Sequence, residues 1–369
     1  MALFMTRKKR EQIGDEIDDL LMRQYHHRCK LEEAQQAGNE ERVQYEKNKI
    51  EEEELQIQKL RKSLHSRRGD AMKYSIVIVT YNRCDLLKEC ITCALQQTIA
   101  ATHIVVIDNA CTDDTDRYLN SLSIPQLVHY RLDHNAGGAG GFYEGLKKAH
   151  ELGDEAHIII DDDAMLSKDF AEQLLDKARK NPEILAFAGV VKTDGCIVRD
   201  HRQRMKRPGF RMEKIPLEEY QKESFYCDTA SFCGLMIRDE VIERIGYPQK
   251  EYFIWYDDTE YCVRIREISQ IMVIPAAVLN HKTVFKPMDW PRHYTWKDYY
   301  GIRNRMHMVR THGNLWDYVV LRLLLWTGSG MRNRIFALVH LHHEDWKEEV
   351  SIYKRGIRDG KKFLKEKQR

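Results

Sequence analysis

Four times between Lys73 and Asp163 a run of β-branched and aliphatic residues stops abruptly at polar side chains. "YSIVIVTYN" ends in Thr80, Tyr81 and Asn82, "THIVVIDNAC" in Asp108 and Asn109, "LVHYRLDHN" in Asn135, and "AHIIID" in Asp161, followed by Asp162 and Asp163. Between these runs, "CDLLKECITCALQQ", "DTDRYLNSL" and "GGFYEGLKKAHEL" carry apolar residues at helical spacing. Strand alternating with helix at this rhythm predicts an α/β fold, a mostly parallel sheet with helices on both faces. Open sheets of this kind bind ligands beyond the carboxyl ends of their strands. Four polar strand ends therefore converge on one crevice.

The contents of that crevice narrow its chemistry. Three adjacent carboxylates after a buried "HIII" repel one another and suit a hard divalent cation holding phosphate oxygens, whereas a lone Asp would read as an exposed turn. "HNAGGAGGFYEG", His134 to Gly145, is a glycine-rich turn opening a helix, where backbone can approach a phosphate or sugar. It follows the third strand rather than the first, so it is not a dinucleotide fingerprint, and such glycines also permit close helix packing. "FIWYDDTEYCVRI", Phe253 to Ile265, sets Asp257 and Asp258 behind aromatic rings. Apolar surroundings raise a carboxyl pKa and suit a general base, while the same residues also suit a helix N-terminus. His281 in "VLNHKT" taken alone is an ordinary structural histidine. Arg303 in "KDYYGIRNRM" suits a diphosphate or a stack of aromatic rings. "DWPRHYTW" groups Trp290, His293 and Trp296 as a sugar platform or a packed loop.

The flanks differ from this middle. Residues 7–68 lack proline and are rich in Glu, Gln, Lys and Arg, with heptad-spaced Ile13 and Leu20, then Ile17 and Leu31, then Val43, Ile50, Ile57 and Leu64. The series fall out of step across "QQAGNEE", which predicts two helices, folded as a hairpin or joined in a self-associating coiled coil. "RDHRQRMKRPGFRMEKIP" reads as a basic loop and "LEEYQKE" as a helix. The 369 residues carry a formal charge of +2, yet Arg303 to Arg369 hold 15 Lys and Arg against 7 Asp and Glu. A basic tail behind "LWDYVVLRLLLWT" fits a peripheral site on the inner face of a cell membrane, or the core of a helical bundle. No segment reaches the ~20 apolar residues of a spanning helix, and the first residues do not form a signal peptide. The nine cysteines have irregular spacing and read as reduced cytoplasmic thiols. Expected regions are a helical segment over 1–70, a catalytic domain over 71–290 and a basic helical region over 291–369.

In order and spacing, "VIVTYNR", "VVIDNACTDDT", "NAGGAGGFYEG" and "IIIDDDAML" resemble glycosyltransferase family 2, inverting enzymes of GT-A fold, from about Lys73 to about Asn304. "FIWYDDTEY", the downstream "NH" and "YYGIRN" look most like bacterial galactofuranosyltransferases, with rhamnosyltransferases using dTDP-rhamnose as neighbours. The resemblance implies a UDP-galactofuranose donor, a glycan or lipid-linked acceptor, and a role in cell-surface polysaccharide synthesis. Thr80, Tyr81, Arg83 and Asp108 would hold the nucleotide, with Asn135, Gly137 and Gly138 against ribose or sugar. Asp161, Asp163 and His281 would ligate Mn²⁺ or Mg²⁺; Asp162 leaves open which pair of the three aspartates touches the ion, and Arg303 stands near the donor. Asp258 would be the base, with Asp257, Trp255, Trp290 and His293 on the acceptor.

Two rival classes fit less well. A coiled-coil scaffold binding nucleic acid through its basic tail leaves the acidic crevice unexplained, and that crevice repels polyanions. A nucleotidyltransferase would place a glycine-rich basic loop after the first strand, where "TYNRCD" has no glycine.

Overall fold

The computed structural model describes residues 7–65, 72–282, 294–327 and 344–366. Trp290, His293 and the expected boundaries near residues 70 and 290 lie outside the described residues. The chain divides into two compact units, Met1–Met72 with Leu95–Ala100, and Lys73–Ala94 with Ala101–Arg369.

In the first unit α1 (Arg7–Gln36) and α2 (Glu40–His65) form a helical hairpin. Gly38 turns it at φ 67°, a backbone angle that glycine adopts without strain. Ile13, Ile17 and Leu20 are buried with Ile57, flanked by Leu21 and Leu60. Nearer the turn the interior becomes polar: the Gln24 amide donates to Glu54 at 2.8 Å, and His27 Nδ1 lies 2.5 Å from Glu46. Val43 and Ile50 are only half-buried there. Of the two arrangements compatible with the broken heptads, the chain adopts the hairpin.

The second unit begins β1 (Tyr74–Thr80), α3 (Cys84–Leu95), β2 (His103–Asp108), α4 (Thr115–Ser121), β3 (Leu127–Arg131), α5 (Gly137–Glu151) and β4 (Ala156–Asp161). It continues through β5 (Ala164–Leu166), α6 (Phe170–Lys180), β6 (Ala186–Thr193), β7 (Cys196–Ile197), β8 (Arg202–Lys206), β9 (Arg211–Lys214), β10 (Phe225–Cys227) and β11 (Thr229–Ala230). β12 (Leu235–Arg238), α7 (Asp239–Ile245), α8 (Asp257–Ile268), β13 (Ile271–His281), α9 (Trp296–His312), α10 (Leu315–Leu325) and α11 (Glu344–Glu366) complete it.

The main sheet runs β10-β13-β6-β12-β4-β1-β2-β3. Neighbours from β4 to β3 are parallel, as the alternation predicts, but β12 is antiparallel to both β4 and β6. No α-helix separates β6 from β12 among the described elements, so the crossover that a parallel neighbour needs is missing. Ile158, Ile159 and Ile160 are fully buried in β4, and each such side chain contributes about 1.5–3 kcal/mol of burial. α5 lies close on β1 because Gly141 and Gly145 face it: a Cβ at either would come within 2.4 Å of Val79 or Val77.

Two expectations change. The segment read as a basic loop is an antiparallel hairpin, β8 with β9, joined by β11. Its tip docks on α10, where Arg207 pairs with Asp317 and the Gly209 amide donates to Asp317 at 3.0 Å. Basic residues on both strands mask the alternation that marks a strand pair. "LEEYQKE" forms only a 3-10 turn, Leu217–Gln221. All nine cysteines are free. Among the described residues no helix is long and apolar enough to cross a membrane.

Candidate active site

Strand register assembles the crevice. Thr80 stands opposite Asp108 across β1 and β2, and Val79 stands opposite Asp161 across β1 and β4. The turn after β4 folds Asp162 inward, where it is fully buried. The Thr80 hydroxyl donates to Asp162 at 2.6 Å, Arg83 Nε reaches the same carboxylate at 3.2 Å, and Arg83 Nη1 donates to Asp163 at 2.7 Å. β13 pairs with β5 so that His281 lies opposite Ala164, which sets His281 Nε2 3.0 Å from Asp163 Oδ1. The middle aspartate is thus the one fastened by Thr80 and Arg83, while Asp161 is left half-buried and faces His281.

The electrostatics follow from crowding three carboxylates beside two cationic side chains. Burial first, then the charges of Asp163 and Asp162, push Asp161 up. Burial lifts Asp162 to about 6 against the opposing pull of Arg83 and Thr80. Burial acts the same way on Asp163, but His281 and Arg83 override it and hold it low. Ligand atoms of Asp161, His281 and Cys233 all lie within 4.8 Å of one another. Burial and the charge of Asp161 push the Cys233 thiol well up, so it stays protonated and is a poor ligand. With the thiol discounted the cluster keeps one carboxylate and one imidazole, and Asp163 stands beside it with Oδ1 3.0 Å from His281; donors of these types suit Mn²⁺ or Mg²⁺.

At the β2 end of the crevice Asp108 is fully buried at the strand tip. It accepts the Cys111 amide at 2.7 Å and Arg131 Nη1 at 2.6 Å. Burial opposes its ionisation, yet His129, Cys111 and Arg131 hold its pKa at about 2. Tyr81 is 43% exposed beside it, and Asn82 accepts the Thr112 amide at 2.7 Å. Asn109 fastens the glycine-rich turn, donating to the Gly137 carbonyl at 2.9 Å and accepting from the Ala136 amide at 2.8 Å. Asn135 accepts the Gly137 amide at 2.9 Å. Gly137 has φ 71°, and a Cβ there would stand 2.1 Å from the Phe253 carbonyl oxygen, so its smallness serves contact with the protein itself. Gly138 faces nothing closer than 3.9 Å.

Phe253, Trp255 and Tyr256 adopt left-handed φ of 65°, 64° and 68°, each of which costs about 1–3 kcal/mol in a non-glycine residue. α9 holds this loop. Asn304, fully buried, donates to the carbonyls of Tyr252, Ile254 and Trp255 at 3.0, 3.0 and 2.8 Å. Arg303 donates to the carbonyls of Glu251 and Tyr252 and lies over the rings of Tyr300 and Phe363. Of its two expected uses, the structure shows the aromatic packing. The Trp255 ring covers Gly301, where a Cβ would meet it at 2.8 Å.

The loop delivers Asp257 and Asp258 to the start of α8. Burial raises both, and the charges of Asp258 and Asp161 add to the rise at Asp257, so the two acidic groups feel one another across the crevice. The Thr259 amide and hydroxyl both donate to Asp258 Oδ1, at 2.5 and 3.0 Å. Asp258 Oδ2 has no hydrogen-bond partner among the described residues and is available to take a proton. Glu260 is instead bound to Arg264 and His312 at 2.9 Å each.

Sequence reasoning missed several members. Asn304 lies in the quoted "YYGIRN", but a single buried amide has no periodic signal. Arg202, in the stretch read as a basic loop, is fully buried and donates to the carbonyls of Gly189, His201 and Cys233 at 2.7–2.8 Å. His201 bonds Ser231 at 2.7 Å and sets its ring against His281, centroids 5.3 Å apart; burial drives its pKa to about 3, so it is neutral.

Comparison with known proteins bears on the family and the fold. Residues 75–246 match the model of glycosyl transferase family 2. A dTDP-rhamnosyl transferase, RfbF, of Shigella flexneri is 28% identical over 276 residues, which are 72% of this chain and 85% of that protein. The crystal structure of GalNAc-T7 with UDP, GalNAc and Mn²⁺ has a TM-score of 0.53 at 15% identity over 66% of this chain, which spans 48% of that longer one. S. aureus TarS 1-349 in complex with UDP-GlcNAc gives a TM-score of 0.52 at 15% identity, over 78% of this chain and 82% of that one. At these identities the two structures show the shared fold.

Proposed function

We propose that this chain, whose residues 75–246 are a glycosyl transferase family 2 domain on a GT-A-type fold, is an inverting hexosyltransferase. It would move a sugar from a nucleoside diphosphate donor to a hydroxyl of a glycan or lipid-linked acceptor during polysaccharide synthesis. The observation that carries the reading is the position of Asp258. One of its carboxylate oxygens is free, its pKa is raised by burial, and its neighbour Asp257 feels Asp161 across the crevice.

In this reading Tyr81, Arg83 and Asp108 line the nucleotide end, Thr80 acts through Asp162, and Asn135 and Gly138 face the ribose or sugar. Asp161, Asp163 and His281 would hold Mn²⁺ or Mg²⁺, which when bound supplies positive charge beside the departing nucleoside diphosphate. Asp258 Oδ2 takes the proton of the acceptor hydroxyl, and Asp257 and Trp255 position that acceptor. The acceptor oxygen forms its bond to the anomeric carbon as the bond to phosphate breaks on the opposite face. A single displacement inverts the carbon without a covalent enzyme intermediate.

For the donor, the "DDDA" and "FIWYDDTEY" motifs favour UDP-galactofuranose, and similarity to a protein named as a dTDP-rhamnosyl transferase supports dTDP-rhamnose as the second reading. The test is slow hydrolysis of a panel of UDP- and dTDP-sugars by the full chain, with Mn²⁺ or with chelator. Metal-dependent turnover of one donor is expected. Turnover that survives chelator removes the metal assignment, and no turnover of any donor removes the transferase reading.

A further inference from the structure

A cavity of 530 Å³ opens between α10 and α11, away from the residues assigned to transfer. Arg322 lines it from α10, and Lys354, Arg358, Lys361 and Lys362 line it from α11. The α11 positions recur at intervals of four, three and one, which places them along one face of that helix. Arg358 pairs with Asp359 at 2.8 Å. None of the other four forms an ion pair with a described residue. Five like charges around one cavity with a single described acidic partner, Asp359, favour the entry of an anion. Leu325 and Ile357 add apolar lining.

The same helix has a second feature. α10 buries Asp317, Leu321 and Leu325 against the core. Its opposite side presents Trp316, Val319, Leu323 and Trp326 at intervals of three, four and three, one continuous stripe, with Trp316 61% and Leu323 52% exposed. An apolar stripe with tryptophans directed away from the core is costly in water. It suits the boundary between lipid headgroups and acyl chains. Trp326 belongs to both the stripe and the cavity wall, so the two surfaces are continuous.

We propose that α10 and α11 form a docking site for an anionic lipid surface, with a lipid phosphate in the cationic cavity and its chains beside the α10 stripe. The charge decides the sign of the headgroup, and the adjoining stripe decides for a lipid over a free phosphate or a nucleic acid. The proposal deepens the reading of a lipid-linked acceptor, but it is tested without donor or turnover, so its failure leaves the transfer reaction standing.

The test is sedimentation of the full chain with vesicles of phosphatidylcholine alone or with phosphatidylglycerol. Binding should require the anionic lipid and weaken with salt. The double variant Lys354→Glu/Lys361→Glu should lose at least about tenfold in partitioning, since each cation near such a surface matters. Trp316→Ser/Leu323→Ser should lose a similar factor while keeping all the cationic residues, and unchanged circular dichroism spectra and thermal midpoints will show that both variants fold. Equal binding to both vesicle types overturns the proposal. Unchanged partitioning of either variant overturns it as well, as does tighter binding of a single-stranded RNA oligonucleotide at the same ionic strength.

Discussion

The Asn304 side-chain amide donates to the Trp255 carbonyl at 2.8 Å, tying α9 to a loop whose backbone has left-handed angles at three of four positions. The same nitrogen is within hydrogen-bond distance of two further carbonyls of the loop, and Arg303 binds the carbonyls just before it. The loop ahead of Asp257 and Asp258 is therefore held chiefly by one buried amide.

Replacing that donor tests the dependence. Asn304→Asp turns a donor into an acceptor facing three carbonyls, at a cost of about 1–3 kcal/mol for the unmade bonds. Transfer should fall more than about tenfold and the acceptor KM should rise, while nucleotide affinity measured by calorimetry stays near that of the parent. An equal loss of both would show that the loop also shapes the nucleotide end.

Asp258→Asn should reduce transfer by about 10²–10⁴, the range of a lost general base, with nucleotide binding nearly intact. Rapid-quench turnover and calorimetry on one preparation separate the two. Matching losses would make Asp258 a structural residue.

The adjacent aspartates differ in what holds them, and that difference can be tested. Asp162→Asn weakens the bonds from Thr80 and Arg83 but also removes a carboxylate that burial lifts to about 6, so the thermal midpoint should fall, by less than the full value of about 1.5–3 kcal/mol that such charged bonds carry. Asp161→Asn removes a carboxylate raised by burial and by its neighbours, so stability should hold or increase. Its affinity for Mn²⁺, read by electron paramagnetic resonance, should nevertheless drop. The reverse pattern would exchange the two roles.

Adjacent glycines also separate. Gly137→Ala brings a Cβ to 2.1 Å from the Phe253 oxygen at φ 71° and should destabilise the protein by more than about 1 kcal/mol. Gly138→Ala meets nothing closer than 3.9 Å, so its melting temperature should not move. Lost donor turnover in Gly138→Ala would then report a ligand contact.

Asp108 makes a prediction in pH. Its folded pKa, about 2, lies below the ordinary aspartate value, so it contributes stability above about pH 4 that is lost as pH falls toward 2. Arg131→Met should therefore lower stability at neutral pH, and the difference from the parent should shrink through that window in urea titrations. A constant difference would mean that the Arg131 side chain matters only by packing.

The strand ends were legible because β-branched runs stopping at polar residues are local patterns, and register then did the rest: Thr80 beside Asp108, Val79 beside Asp161. Asp257 and Asp258 were legible from the aromatic cluster ahead of them. Asn304 and Arg202 were not. Most of their partners are carbonyls some 50 residues away for Asn304 and 13 and 31 for Arg202, exposed by loop conformations that no periodicity encodes. Arg202 also lies among solvated basic residues, and its burial comes from β8 pairing with β11. Gly137 was read as room for a ligand or for close packing, and what the structure shows against it is the Phe253 carbonyl.

α11 crosses α9 through Gly356 and Gly360, where a Cβ would stand 3.0 Å from Ile302 and 3.1 Å from Met306. Backbone meets side chain there with no compliant layer between, and Asn304 lies on the same helix, within two residues of both contacts. A surface gripping α11 would therefore act as the fixed end of a ruler whose other end is the Trp255 loop. Under the proposed docking, such a ruler would select acceptors by their height above the surface as well as by their chemistry, and the length of the spacer between lipid and sugar would become a specificity determinant.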